Sequence, residues 1–323
     1  MNRWITADDI IEIYAKLHQR GLAFLFSKFG TNPQQRTLTA FNDTNIQGAN
    51  WWQIDLVRQR WNSIITGNPY YKFEDFIVDR FLVDALDLKM LSIGCGNGTH
   101  ELNFAKNNCF RSIIGYDISD KLIEQANQNV QLQQLSNIQF VAGDIFEANI
   151  EPQSLDVVMF YSSLHHFDKI DTFLSRVKKW MKQGGLIIIH EYVGPNRLII
   201  SNQQAEVATN WLQSIPRAYR KRFKTGLIKN RITGPGLWRM LLSDPSEAVD
   251  STSIMPQLHK HFDAIYEAQF GTVMMMLVLK DIAHHFTEHN HNALSILNRL
   301  FEEEDKWMKN HQAHFVFGVY RAT

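Results

Sequence analysis

Residues 90–99, MLSIGCGNGT, constrain this chain more than any other stretch. Leu91 and Ile93 sit in a short apolar run, glycines follow at alternate positions, and a helical pattern starts at Glu101. That order is a buried strand, a tight turn and a helix start. Glycine adopts backbone angles that other residues resist, and it lets a ligand press against the main chain. The helix start beyond it offers unpaired N–H groups and a field that favours an anionic group. Gly94, Cys95, Gly96 and Gly98 therefore describe a nucleotide-type cofactor turn at the carboxyl edge of a parallel sheet.

The spacing narrows the cofactor. A dinucleotide turn follows G-x-G-x-x-G, suited to a pyrophosphate, whereas this chain has G-x-G-x-G. Residues 112–117 form a second strand pattern ending in Asp117, about 20 residues past the glycines, where such folds grip ribose hydroxyls. A third strand pattern at 138–141 leads into Gly143, Asp144 and Ile145. An ionised aspartate only accepts hydrogen bonds, so Asp144 can take one from an adenine amino group. A bland turn accounts for the glycines alone; it does not account for three signals in register.

On these residues the chain resembles the class I S-adenosylmethionine-dependent methyltransferases. The likeness continues through DVVMFYSSLHHF at 156–167 and KQGGLIII at 182–189. Residues 190–197 (HEYVGPNR) and 244–249 (DPSEAV) are similar to a bacterial small-molecule and sugar-type subgroup. The resemblance implies an α/β fold: a Rossmann-like seven-stranded methyltransferase sheet, last strand antiparallel, with N-terminal helices and an inserted helical cap. It also implies S-adenosyl-L-methionine as cofactor, held by Gly94, Cys95, Gly96, Gly98, Asp117, Ile118, Asp144, Ile145, Tyr161 and Ser162.

Composition limits the partners. The 323 residues are 45% hydrophobic, enough for one large core and an added lobe. With 33 basic and 33 acidic residues there is no basic excess, which argues against a nucleic-acid binder. Asp8, Asp9 and Glu12 interrupt the early apolar residues, so no secretory signal is expected. Apolar runs such as 273–279 fall well short of the ~18 residues of a membrane span. Two cysteines, Cys95 and Cys109, give no disulfide framework, so a cytoplasmic location is expected.

The chain divides into four expected parts: an N-terminal helical lobe (1–86), the cofactor-binding α/β core (87–193), an inserted helical cap (194–260) and a C-terminal completion of the sheet (261–323). The lobe carries helical spacing at 8–29, 51–65 and 72–86, separated by a polar stretch at 31–50. Helices before the first strand cover the site in the resembling family, which makes Tyr70 and Tyr71, with Trp51 and Trp52, wall candidates; aromatic packing onto the sheet is the alternative. In the cap, short helices are expected near 236–242 and 246–250. Arg217, Arg220, Lys221, Arg222, Lys224, Lys229 and Arg231 have no acidic residue among them. They form either a solvated face or a site for an anionic or carrier-linked acceptor, with Arg217 and Arg220 foremost.

The chemistry is expected after the fourth strand. In-line methyl transfer needs a positioned acceptor, and a base only where the acceptor is a protonated hydroxyl. His165 and His166 fall just past the strand end; His166 is the preferred base and His165 the second. Glu191, ending the fifth strand, can orient a histidine or bind a substrate hydroxyl, and Tyr192 and Asn196 follow as weaker substrate candidates. A helix is expected over 272–286, and a rival cluster, His284, His285, Glu288, His289 and His291, has His285 and His289 at the i, i+4 spacing of a helix. It lacks a protease-type pattern, and no metal is expected there. The chain therefore reads as a methyltransferase acting on a hydroxyl of a small sugar-like or natural-product acceptor. The alternatives are an N- or carboxyl-methyltransferase, including one for a peptide terminus, and a non-catalytic cofactor-binding partner subunit.

Overall fold

Seven strands form one sheet in the order β3-β2-β1-β4-β5-β7-β6. They are β1 (Leu88–Ile93), β2 (Phe110–Asp117), β3 (Ile138–Ala142), β4 (Leu155–Tyr161), β5 (Met181–Tyr192), β6 (Phe262–Phe270) and β7 (Phe315–Ala322). Strands β1 to β5 pair in parallel, and β7 runs antiparallel between β5 and β6. This is the expected Rossmann-like methyltransferase sheet. The computed structural model describes residues 3–20, 36–37, 49–223, 225–288 and 290–323. The polar stretch at 31–50 and the second half of the first helical pattern therefore lie largely outside the described residues.

The central strands are continuous apolar runs because helices cover both of their faces. Val157, Val158, Met159 and Phe160 are all buried, feeding two clusters on opposite sides of the sheet. Helices α4 (Thr99–Phe104), α5 (Asp120–Leu132) and α6 (Ile170–Trp180) carry the crossovers, after α1 (Ala7–Arg20), α2 (Asp55–Thr66) and α3 (Phe73–Phe81). Strand order reverses between β1 and β4, which opens a crevice at their carboxyl ends.

Beyond β5 the chain leaves the sheet. Helix α7 (Asn202–Ser214) joins α10 (Val273–Leu279) and α11 (His291–Met308) in a third apolar cluster, which meets the sheet at Tyr192 and Phe315. Between them, α8 (Leu237–Ser243) is short, and α9 (Ile254–His261) returns to the sheet by burying Ile254 and Leu258. Residues 246–250 form turns rather than the expected helix, with Ala248 at φ 46°. The helix expected over 272–286 stops at Leu279. Asp281 takes φ 67° and exchanges backbone bonds with Ala49 and Phe223, so tertiary contacts override the local pattern. His285 consequently sits in a single 3-10 turn, bonded to the Lys221 carbonyl, while His289 lies outside the described residues.

The basic run is partly structural. Arg222 lies between Asp281 at 2.6 Å and Asp8 at 3.5 Å. The Lys229 ammonium donates to the carbonyls of Leu277, Val278 and Lys280 at 2.6, 3.2 and 2.5 Å, closing the C-terminus of α10. Lys224 lies outside the described residues. Lys229→Met should cost about 2–3 kcal/mol in urea unfolding, because buried carbonyls lose a charged donor; an unchanged midpoint would show that water replaces it. The N-terminus is pinned to the same lobe, where Asp8 accepts from the N–H groups of Thr233 and Gly234 and Asp9 from that of Gly236. Among the described residues, no helix is long and apolar enough to cross a membrane.

Candidate active site

The glycine turn closes against its neighbours. Gly94 and Cys95 donate their N–H groups to the Tyr116 carbonyl at 2.7 and 3.1 Å. Gly94 (φ 72°) and Gly98 (φ 74°) are packed so tightly that a Cβ would lie 2.4 Å from Ser163 and 2.2 Å from the Phe140 ring, respectively. Gly96, at φ 55°, is different: a Cβ there meets nothing within 4 Å. Asp117 holds the turn, accepting from Gly96 N–H at 2.9 Å and Ser119 N–H at 2.8 Å. Burial raises its pKa against the opposing pull of these N–H groups. Asp144 accepts from Phe146 N–H at 2.9 Å.

These residues border a cavity of about 380 Å³ lined by Gly94, Asp117, Ile118, Asp144, Ile145, Ser162 and His166. Its fit to a nucleoside is chemical as well as geometric. Two carboxylates end adjacent strands, with apolar Ile118 and Ile145 beside them and a glycine cradle at one end. A second cavity, about 800 Å³, is walled by Trp51, Trp52, Trp61, Tyr161, Tyr192 and Phe315, with Glu74, His100, His165 and His190 among its polar lining. Ser162 lines both cavities.

The histidine turn stands at this junction. After β4, Ser162 takes φ 50°, and the Ser163 hydroxyl donates to the Ile93 carbonyl at 2.6 Å, tying the turn to β1. Leu164–His166 is one 3-10 turn, with the two imidazole centroids 4.3 Å apart. Glu191, fully buried on β5, accepts from the N–H groups of Ser163 and Leu164, both at 2.6 Å, and lies 2.7 Å from His165 Nδ1. Burial works against its charge, but His165 and the backbone donors outweigh it and lower its pKa. Burial likewise opposes charge on His165, and Glu191 overcomes it, raising that imidazole's pKa. His166 is lowered by burial and then by the neighbouring His165. The pair therefore shares its positive charge unequally.

Of the residues singled out in the sequence, Gly94, Asp117, Ile118, Asp144, Ile145, Ser162 and His166 come together in the first cavity, and His165 and Tyr192 in the second. Tyr161, expected beside the cofactor, lines the second cavity, stacked on Phe73 and His190. Gly96, Gly98 and Cys95 shape the turn without lining either cavity. Tyr70 is 79% exposed, and the Tyr71 hydroxyl donates to Asp79, so neither forms a wall. Arg217 and Arg220 also fall outside both linings. Asn196 instead fixes a turn by accepting from Thr252 N–H at 3.0 Å.

Sequence reasoning missed Trp61, Glu74, His100, His190 and Glu247. His190 adjoins Glu191 on β5, and strand alternation could have flagged it. His100 and Glu74 are 2.8 Å apart but 26 positions distant in sequence.

Residues 86–234 match a family model described as a methyltransferase domain. The sterol 24-C-methyltransferase of Candida albicans is 25% identical over 190 residues, 54% of this chain and 50% of that protein. The malonyl-[acyl-carrier protein] O-methyltransferase of Halalkalibacterium halodurans is 27% identical over 126 residues, 38% of this chain and 45% of that one. Phosphoethanolamine N-methyltransferase 3 of Arabidopsis thaliana is 27% identical over 114 residues, 34% and 23% of the two chains. The matches with the sterol enzymes span about half the length of those relatives. Sheet order, glycine turn and matched sequence agree: residues 86–234 carry a methyltransferase domain of the class I S-adenosylmethionine-dependent type.

Proposed function

We propose that the chain transfers a methyl group from S-adenosylmethionine to a hydroxyl of a small sugar-like or natural-product acceptor, with one histidine of the pair as base. The observation that carries this reading is the meeting of two cavities at Ser162 and the His165–His166 turn. When bound, the cofactor supplies an electrophilic methyl group on a sulfonium. Asp117 and Asp144 hold the nucleoside side. The tryptophan faces of the larger cavity suit an apolar or carbohydrate surface, and Arg58 and Lys72 beside them suit an anionic substituent. The domain's free cysteines, Cys95 and Cys109, accord with a cytoplasmic location.

The relatives include C-, O- and N-methyltransferases, so the histidine turn has to decide between acceptors. An ionised carboxylate or a neutral amine needs no base, whereas a hydroxyl does. His165, backed by the buried Glu191, faces the larger cavity, which favours the hydroxyl and moves the role of base from the expected His166 to His165. In the neutral ring, with Nδ1–H given to Glu191, Nε2 carries the lone pair that takes the acceptor's proton. The positioned dyad then lets in-line displacement proceed without a free alkoxide.

Two measurements test the reading. Incubation with methyl-labelled cofactor and a fractionated small-molecule extract should yield a product carrying one added O-methyl group by mass spectrometry; a product methylated on nitrogen, carbon or carboxylate would remove the hydroxyl. Calorimetry with S-adenosylhomocysteine should show Asp117→Ala weakened by about 1.5–3 kcal/mol, the range for hydrogen bonds to a charged group. Full affinity in the folded variant would take Asp117 out of the site.

A further inference from the structure

We propose that His165, His166 and Glu247 form a site for a divalent transition-metal ion, Zn2+ by its donor chemistry, and that the bound ion inhibits the chain by occupying its base. One donor atom from each residue lies within 4.8 Å of the others. Nε2 of His165 is 3.8 Å from one Glu247 oxygen, and Nε2 of His166 is 4.0 Å from the other. A tetrahedral zinc ion with bonds of about 2.1 Å holds its ligands about 3.4 Å apart, so small torsions of the partly exposed Glu247 chain close the site.

The surroundings orient both rings the same way. Ionised Glu191 can only accept, so His165 Nδ1 carries a proton, and in the neutral ring the lone pair is on Nε2, where an ion displaces any second proton. Ser246 has one hydroxyl proton, given to Asp244 at 2.7 Å, so at 3.0 Å it accepts from His166 Nδ1. Each imidazole is thus held as metal-binding histidines are, with Nδ1–H on an outer partner. The fold brings Glu247 to them through two backbone bonds, Val249 N–H to the His165 carbonyl at 3.1 Å and Arg197 N–H to the Ala248 carbonyl at 2.7 Å. Two imidazoles and one carboxylate are a zinc ligand set that leaves a fourth position open. His165 Nε2 cannot hold an ion and take a proton at once. The ion and the acceptor therefore compete. The inhibition rests on the proposed hydroxyl reaction; the binding does not.

The test uses the full chain, stripped with a chelator and dialysed, without cofactor or acceptor. Titration with Zn2+ by calorimetry, and with Co2+ by visible absorption, should show a saturable site. His166→Gln and Glu247→Gln, each checked for folding by circular dichroism, should weaken it at least tenfold. No saturable binding, or unchanged affinity in both folded variants, would overturn the site. In the methyl-transfer assay Zn2+ should inhibit, a chelator should restore turnover, and Glu247→Gln should raise the half-inhibiting concentration at least tenfold. Loss of turnover on chelation would overturn the inhibitory role; with binding intact, the failure would then lie in the proposed base rather than in the site.

Discussion

His165→Ala is expected to lower methyl transfer by about 10²–10⁴-fold, the contribution of a positioned base, while S-adenosylhomocysteine binds as before. The cofactor affinity should survive because His165 lines the larger cavity and not the one containing Asp117 and Asp144. Glu191→Gln should reproduce much of the loss in a folded protein. Its amide oxygen can still accept from Ser163 and Leu164, but its NH₂ donates to His165 Nδ1, which moves the ring proton to Nε2 and removes the base. Glu191→Ala is the poorer probe, since it strands two buried N–H groups and endangers the turn. His166→Ala should act chiefly on cofactor affinity, because that ring borders the smaller cavity, the one proposed to hold the nucleoside. Single-turnover rates and calorimetry on all three variants check this ranking. Near-normal turnover in both His165→Ala and Glu191→Gln would reject a histidine-assisted hydroxyl reaction and leave a carboxylate or amine acceptor as the better reading.

The proposed exchange of roles between the two histidines shows where sequence reasoning ends. Gly94, Asp117 and Asp144 were legible because each lies at a strand end, and a parallel sheet brings strand ends together. The turn at Leu164–His166 was legible for the same reason. Which ring faces which cavity was not. That choice depends on Glu191 capping the turn from the next strand and on Ser246 reaching His166 from 80 positions away. The larger cavity was also hidden, since Trp51, Trp61 and Phe315 meet only when two distant parts of the chain pack together. Lys229 looked like part of a charged surface because its partners are backbone carbonyls, which leave no mark in the sequence.

The glycines of the turn separate fold from ligand binding. Gly94→Ala puts a methyl group 2.4 Å from Ser163 Cβ at φ 72°, so it both strains the backbone and displaces the residue that ties the histidine turn to β1. Left-handed strain and overpacking together should cost about 2–5 kcal/mol of stability. Gly96→Ala has the same kind of φ, 55°, but its methyl group meets no protein atom within 4 Å. It should therefore cost only the backbone strain, about 1–2 kcal/mol. Gly96 lines neither cavity, but its N–H is bonded to Asp117 of the first, and a cofactor gripped there is expected to reach over this open face, so this milder substitution should hit binding harder than stability. Chemical denaturation and calorimetry on the two variants give the comparison. Gly96→Ala should stay folded with S-adenosylhomocysteine affinity reduced at least tenfold, and the 2.9 Å bond from Gly96 N–H to Asp117 keeps the turn in register while it is measured. A folded Gly96→Ala chain that binds the ligand at full strength would place the cofactor away from the glycine turn, and Asp117 would then be a structural clasp for that turn rather than a ribose ligand.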